Sequence, residues 1–213
     1  MPTLLQLDSS IDPVTSVSRE LTARFARAWA SAGSDRTVVV HDLVADPVPH
    51  LAHESLHWAP SLRGANAPEL PREQSTQDAV IAELLSADVL VIGAPMYNYS
   101  VPSTLKTWID HVHVPGVLAP FGADPVQPLK GRLAVIVTAR GGIYDEGTEN
   151  EGRDHTVPPI DLILGDALGM RIDTVAVSRS LSRTLPGLAG ERERFEAELS
   201  AARERIDALA ASA

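Results

Sequence analysis

An unbroken apolar run, Asp88-Val89-Leu90-Val91-Ile92-Gly93, leads directly into Ala94-Pro95-Met96-Tyr97-Asn98-Tyr99-Ser100. A second apolar pattern follows, in which Leu105, Trp108, Ile109 and Val112 recur at helical spacing. A run without polar alternation suits a strand covered on both faces, as in a parallel sheet flanked by helices. Pro102 suits the start of the helix that follows, because its ring fixes a helical φ where no amide donor is needed. Tyr97, Asn98 and Tyr99 therefore occupy the carboxyl end of a buried strand, where open α/β sheets bind ligands.

The same alternation of strand and helix extends along the chain. Strands are expected near 2–8, 36–43, 88–94, 131–139 and 172–178, and helices near 16–32, 76–87, 102–114, 156–169 and 187–211. Leu21, Phe25, Ala28 and Trp29 mark one face of the first helix; Phe195, Leu199, Ile206 and Leu209 mark one face of the last. This pattern predicts a doubly wound α/β fold with a five-stranded parallel sheet and helices on both faces. The 213 residues are expected to form one domain, 1–213, since no linker composition interrupts them. Two Pro-rich connections, 44–75 and 114–130, lack periodic pattern and read either as functional or interface loops or as mobile surface loops.

Two further turns fall at strand ends. Leu7-Asp8-Ser9-Ser10 leads through Pro13 to Ser16-Val17-Ser18-Arg19 at a helix start. Hydroxyls and free amide donors there make either a helix cap or an anion site. Val137-Thr138-Ala139-Arg140-Gly141-Gly142-Ile143-Tyr144 follows the fourth strand. Two glycines in succession admit a flat ring close to the backbone, and positive φ values there would aim N–H groups at it.

Other classes find little support. The formal charge of −10 disfavours nucleic acid and anionic membrane as partners, and the absence of cysteine removes thiol chemistry and disulfides. No apolar stretch approaches the ~20 residues of a membrane span, so a cytoplasmic protein is expected. Dinucleotide-binding, Walker and nucleophile-elbow glycine motifs are missing. His50, His53, His57, His111 and His113 are poorly spaced for zinc, and no metal is expected. Glu146, Glu149, Glu151 and Asp154 read as an acidic surface loop.

Taken together, Pro95-Met96-Tyr97-Asn98-Tyr99 with Leu105-Lys106-Thr107-Trp108, the Ser10/Ser16-Val17-Ser18 turn and the Ala139-Arg140-Gly141-Gly142 turn resemble the FMN-dependent NADH:quinone oxidoreductases and NADH-azoreductases of the flavodoxin-like superfamily. The resemblance spans nearly the whole chain and implies strand order 2-1-3-4-5. It implies noncovalent FMN, with Ser10, Ser16, Val17 and Ser18 at the phosphate and Pro95, Met96, Tyr97, Asn98, Tyr99, Ala139, Arg140, Gly141 and Gly142 around the ring. NADH or NADPH would donate hydride, and quinones or azo compounds would accept it by ping-pong turnover, with no catalytic side chain required. Homodimers with flavin sites at the interface are also implied. Tyr144, Phe121 and Ala119 are the candidate substrate-pocket residues. The sequence departs from the family at Ala139, where Ser is common, and along Val117-Leu118-Ala119-Pro120-Phe121, which is less aromatic than usual. Two other roles would keep the flavin: a reductase of a biosynthetic intermediate, and an electron carrier of flavodoxin type.

Overall fold

The computed structural model describes residues 1–123 and 125–213; residue 124, within the 114–130 connection, lies outside the described residues. Five strands, β1 (Thr3–Asp8), β2 (Thr37–Asp42), β3 (Val89–Pro95), β4 (Leu133–Ala139) and β5 (Arg171–Val177), form one parallel sheet in the order β2-β1-β3-β4-β5. This is the doubly wound, flavodoxin-like order expected from the sequence. β3 is buried along its whole length because both of its faces are covered. Period-two alternation divides its side chains, sending Leu90 and Ile92 to one layer and Val89 and Val91 to the other. The first layer packs α2 (Pro71–Ser86) and α3 (Ser103–Val112), with Leu84, Leu105 and Trp108 against Leu5, Leu7 and Ile136. The second packs α1 (Val17–Ser31) and α5 (Arg192–Ser212), with Leu21, Phe25, Phe195 and Leu199 against Leu4, Val135 and Val137.

Three helix boundaries differ from expectation, each for a local reason. α2 starts at Pro71 rather than near 76; its polar first turn, Arg72 to Ser75, carries no apolar period. The expected helix over 156–169 divides into α4 (Val157–Ile160) and a π-helical stretch, Asp161–Ala167. The wider winding is visible where the Leu168 N–H bonds the Ile163 carbonyl at 2.9 Å. The last helix begins at Arg192, behind a 3₁₀ turn over Pro186–Glu191.

The long connections fold onto their own chain. Gln77 Nε2 donates to the Leu56 carbonyl at 2.8 Å, and His111 Nε2 pairs with the Pro49 carbonyl at 2.8 Å. The Ala59 N–H donates to the Pro115 carbonyl at 3.2 Å, joining one connection to the other. Leu118 and Ala119 are buried in the layer beneath α2 and α3, whereas Phe121 is half exposed and meets Trp58 edge-on, with centroids 5.5 Å apart.

Candidate functional site

Parallel strands end at one edge of the sheet, so the turns after β1, β3, β4 and β5 converge there. The β1–α1 turn is fixed from below by Arg19. Its guanidinium donates to the Ser10 carbonyl at 2.6 and 3.0 Å and pairs bidentately with Asp42 at 2.7 and 2.8 Å. That pairing holds the Asp42 carboxyl down at about 2. Within the turn, Asp12 accepts from the N–H groups of Val14 and Thr15, both at 2.9 Å, and from the Thr15 hydroxyl. These bonds, led by that of the hydroxyl, lower the Asp12 pKa and keep it ionised.

Ser16 caps α1 by accepting the Arg19 N–H at 3.3 Å, and its hydroxyl lies 3.1 Å from that of Ser18. The Val17 and Ser18 N–H groups have no acceptor among the described residues, as expected for the first turn of a helix. Ser18 itself is fully buried. Val17 beside it is also buried, and Ser16 is the most accessible of the three.

The β3–α3 turn is a two-residue reversal. Tyr97 and Ser100 exchange backbone hydrogen bonds at 3.0 and 3.1 Å, and Asn98 and Tyr99 take φ values of +50° and +69°. Positive φ at two successive non-glycine residues is uncommon, and it leaves the Asn98 N–H without an acceptor among the described residues. The Tyr97 hydroxyl accepts the Ile11 N–H at 3.1 Å and lies 3.2 Å from Ser10 Oγ, clasping the first turn to this one.

The β4 turn corrects one expectation. Gly141 and Gly142 are not at positive φ. The two turns meet closely at 141, where a Cβ would stand 2.8 Å from Leu181 Cδ1. The close approach comes from the turn after β5, whose N–H groups take up the carbonyls of this loop: Arg179 to Gly142 at 2.9 Å, Ser180 to Arg140 at 3.1 Å and Leu181 to Gly141 at 3.2 Å. With the carbonyls committed on that side, the Gly141 and Gly142 N–H groups have no acceptor among the described residues. Arg179, 1% exposed and itself at φ +65°, anchors the arrangement through ion pairs with Asp145, Glu191 and Glu198.

Two adjoining cavities result. One, of about 480 Å³, lies between the β1–α1 turn, Pro95 to Tyr97, Ala139, Gly141 and the turn after β5. The other, of about 790 Å³, is walled by Met96, Tyr97, Asn98, Val101, Ile109 and Ile163 among others. Met96 and Tyr97 line both. Sequence reasoning found the turns after β1, β3 and β4 but missed Asp12, Thr15 and the fourth wall, Ser180, Leu181, Arg183 and Thr184. The polar run directly after β5 was the available signal.

The remaining candidates lie outside these walls. Arg140 pairs with Asp154 at 3.2 Å and stacks over the Tyr144 ring at 5.4 Å. Burial raises the Tyr144 pKa. Tyr99 is half exposed at the tip of its turn. Ala119 and Phe121, expected in the substrate pocket, line neither cavity of this chain: Ala119 is buried in the core, and Phe121 stands against Trp58. Asp154 accepts the Thr156 and Val157 N–H groups, and Glu151 accepts that of Gly147, so two of the acidic-loop residues serve as local caps. Burial lowers the His111 pKa, and that ring ties down the 44–75 connection.

A family model described as a flavodoxin-like fold matches residues 2–209. A protein of Kineococcus radiotolerans, named FMN-dependent NADH:quinone oxidoreductase, is 50% identical over 96% of this chain and 98% of its own length. A protein of the same name from Parafrankia is 39% identical over 95% of each. Among solved structures, an azoreductase from Bacillus anthracis shares the fold with a TM-score of 0.82 at 22% identity, covering all of both chains. An FMN-dependent NADH-azoreductase from the same species, in complex with FMN, superposes with a TM-score of 0.78 at 20% identity, covering 99% of this chain and 100% of its own.

Proposed function

Because the chain belongs to the family of FMN-dependent NADH:quinone oxidoreductases of flavodoxin-like fold, it is an FMN-dependent oxidoreductase, and we propose that it moves hydride from NADH or NADPH to quinones and azo compounds by ping-pong turnover. The observation that carries the reading is the pair of adjoining cavities, one edged by free backbone donors and the other largely apolar, that meet at Met96 and Tyr97. In this reading the FMN phosphate lies against Ser10, Ser16 and the N–H groups of Val17 and Ser18. The ring lies among Pro95 to Tyr99 and Ala139 to Gly142.

These residues fit such a group. Unbonded N–H groups at Asn98, Gly141 and Gly142 suit a ring that gains negative charge, and each hydrogen bond to a charged acceptor is worth roughly 1.5–3 kcal/mol. When bound, FMN supplies the hydride relay between donor and oxidant. The protein positions both substrates and excludes water with Met96, Tyr97, Val101 and Ile109, and it needs no acid–base pair. Space of about 790 Å³ beside the ring turn supports an enzyme over an electron carrier, which has no substrate to house.

The two substrates share one opening, so the first product leaves before the second substrate enters. Steady-state NADH oxidation at several fixed concentrations of a simple quinone should give parallel double-reciprocal lines. Intersecting lines would replace the shared opening with a ternary complex. An absence of turnover would favour the carrier or a reductase of a biosynthetic intermediate.

A further inference from the structure

The turn after β5 adds a charge to the smaller cavity. Fourteen residues line it, and Arg183 is the one cation among them. Asp12, ionised by the hydrogen bonds it accepts, is the one anion. A phosphate monoester carries a charge of about −1.5 to −2 at neutral pH, and the whole chain has a formal charge of −10. Without Arg183 the charges lining the cavity would repel such a group, leaving only neutral donors to attract it.

Of those neutral donors, the Ser16 hydroxyl faces that of Ser18 and the Ser10 hydroxyl faces Tyr97, while the Val17 and Ser18 N–H groups have no acceptor among the described residues but carry no full charge. Arg19, the other cation near the turn, is consumed by Asp42 and the Ser10 carbonyl. Arg183 is different. Its guanidinium stacks 4.8 Å over the buried Phe195 ring, and its nearest carboxylate, Glu196, stands at 3.9 Å, beyond hydrogen-bond range, and is shared with Arg192 at 3.4 Å. No hydrogen bond from the Arg183 side chain is made to any described residue. Stacking on Phe195 orients the planar group and leaves its donors available, which lowers the entropy lost when an anion is bound.

We infer that Arg183 is the cation that binds the cofactor phosphate from the β5–α5 side and makes the cavity prefer FMN to riboflavin. The inference rests on the FMN reading above and adds a residue to it. A guanidinium–phosphate bond is charge-assisted, so its loss should weaken FMN by about 10- to 100-fold. Riboflavin, which lacks the phosphate, should be unaffected.

Calorimetric titration of the apoprotein and its Arg183→Gln and Arg183→Lys variants with FMN and with riboflavin tests this. Arg183→Gln should lose FMN affinity by that factor while riboflavin changes less than about twofold, with Arg183→Lys in between. Added salt should narrow the gap between wild type and Arg183→Gln. Equal weakening of both flavins, or unchanged FMN affinity in Arg183→Gln, would overturn the role of Arg183 while leaving the FMN site standing. Wild-type protein that binds neither flavin would overturn the site and this inference together. Since Arg183 makes no side-chain hydrogen bond, circular dichroism should show both variants folded, and Arg183→Lys carries the test if Arg183→Gln is not.

Discussion

At the scale of single residues, the site depends on a few side chains that hold backbone in place. Arg179 is the clearest of them. Its N–H holds the Gly142 carbonyl, its φ is positive, and its buried guanidinium is divided among three carboxylates from two elements and a loop. Removing one partner of a buried charge network costs about 3–5 kcal/mol, and the part-exposed carboxylates recover some of this by rehydrating. Arg179→Met should therefore destabilise the fold by about 3 kcal/mol in urea denaturation. A loss under about 1 kcal/mol would show that the network contributes little. Nothing in the sequence marked this residue, because its partners lie 12 to 34 positions away. Local spacing does report the Ser16 cap, but not the start of α2 at Pro71. It does not report which hydroxyls turn inward, and Ser18, expected at the phosphate, lies beneath the surface.

At the scale of elements, apolar runs located β1, β3 and β4, since these central strands are covered on both faces and need no polar alternation. The register places Asp8, Gly93, Val137 and Val175 in line across the sheet, so the turns that follow share one edge. Three of those turns were legible from Ser, Gly and aromatic residues at strand ends. The fourth, Ser178 to Thr184, was signalled only by its polar run, because its part depends on contact with the β4 turn through Leu181 and Arg179. The glycine pair shows the same limit: its place was legible, but its reason was not. A sequence suggests positive φ at Gly-Gly, whereas here Gly141 is closely approached by Leu181 and the positive φ values of the site's turns fall on Asn98, Tyr99 and Arg179. The π-helical stretch was equally hidden, as its apolar spacing over Ile160, Leu164 and Leu168 is that of an ordinary helix.

At the scale of the molecule, the two Pro-rich connections carry apolar side chains that this chain does not cover. Trp58, Leu62 and Phe121 are 41%, 40% and 49% exposed, and Trp58 and Phe121 already touch. An exposed aromatic pair is suited to a protein contact. We propose that two chains associate through it, which would bring Phe121, absent from the walls of its own cavities, toward those of a partner. Equilibrium sedimentation should then give about twice 22.7 kDa, and Trp58→Glu with Phe121→Glu should shift it toward the single-chain value. A wild-type mass of one chain would contradict the association.

At this scale, four turns at one sheet edge should act as a single FMN site. Isothermal titration of the apoprotein with FMN and then with riboflavin tests this. One FMN should bind per chain and riboflavin more weakly, because only FMN would reach the β1–α1 turn with its phosphate. No FMN binding, or riboflavin binding as tight as that of FMN, would contradict it.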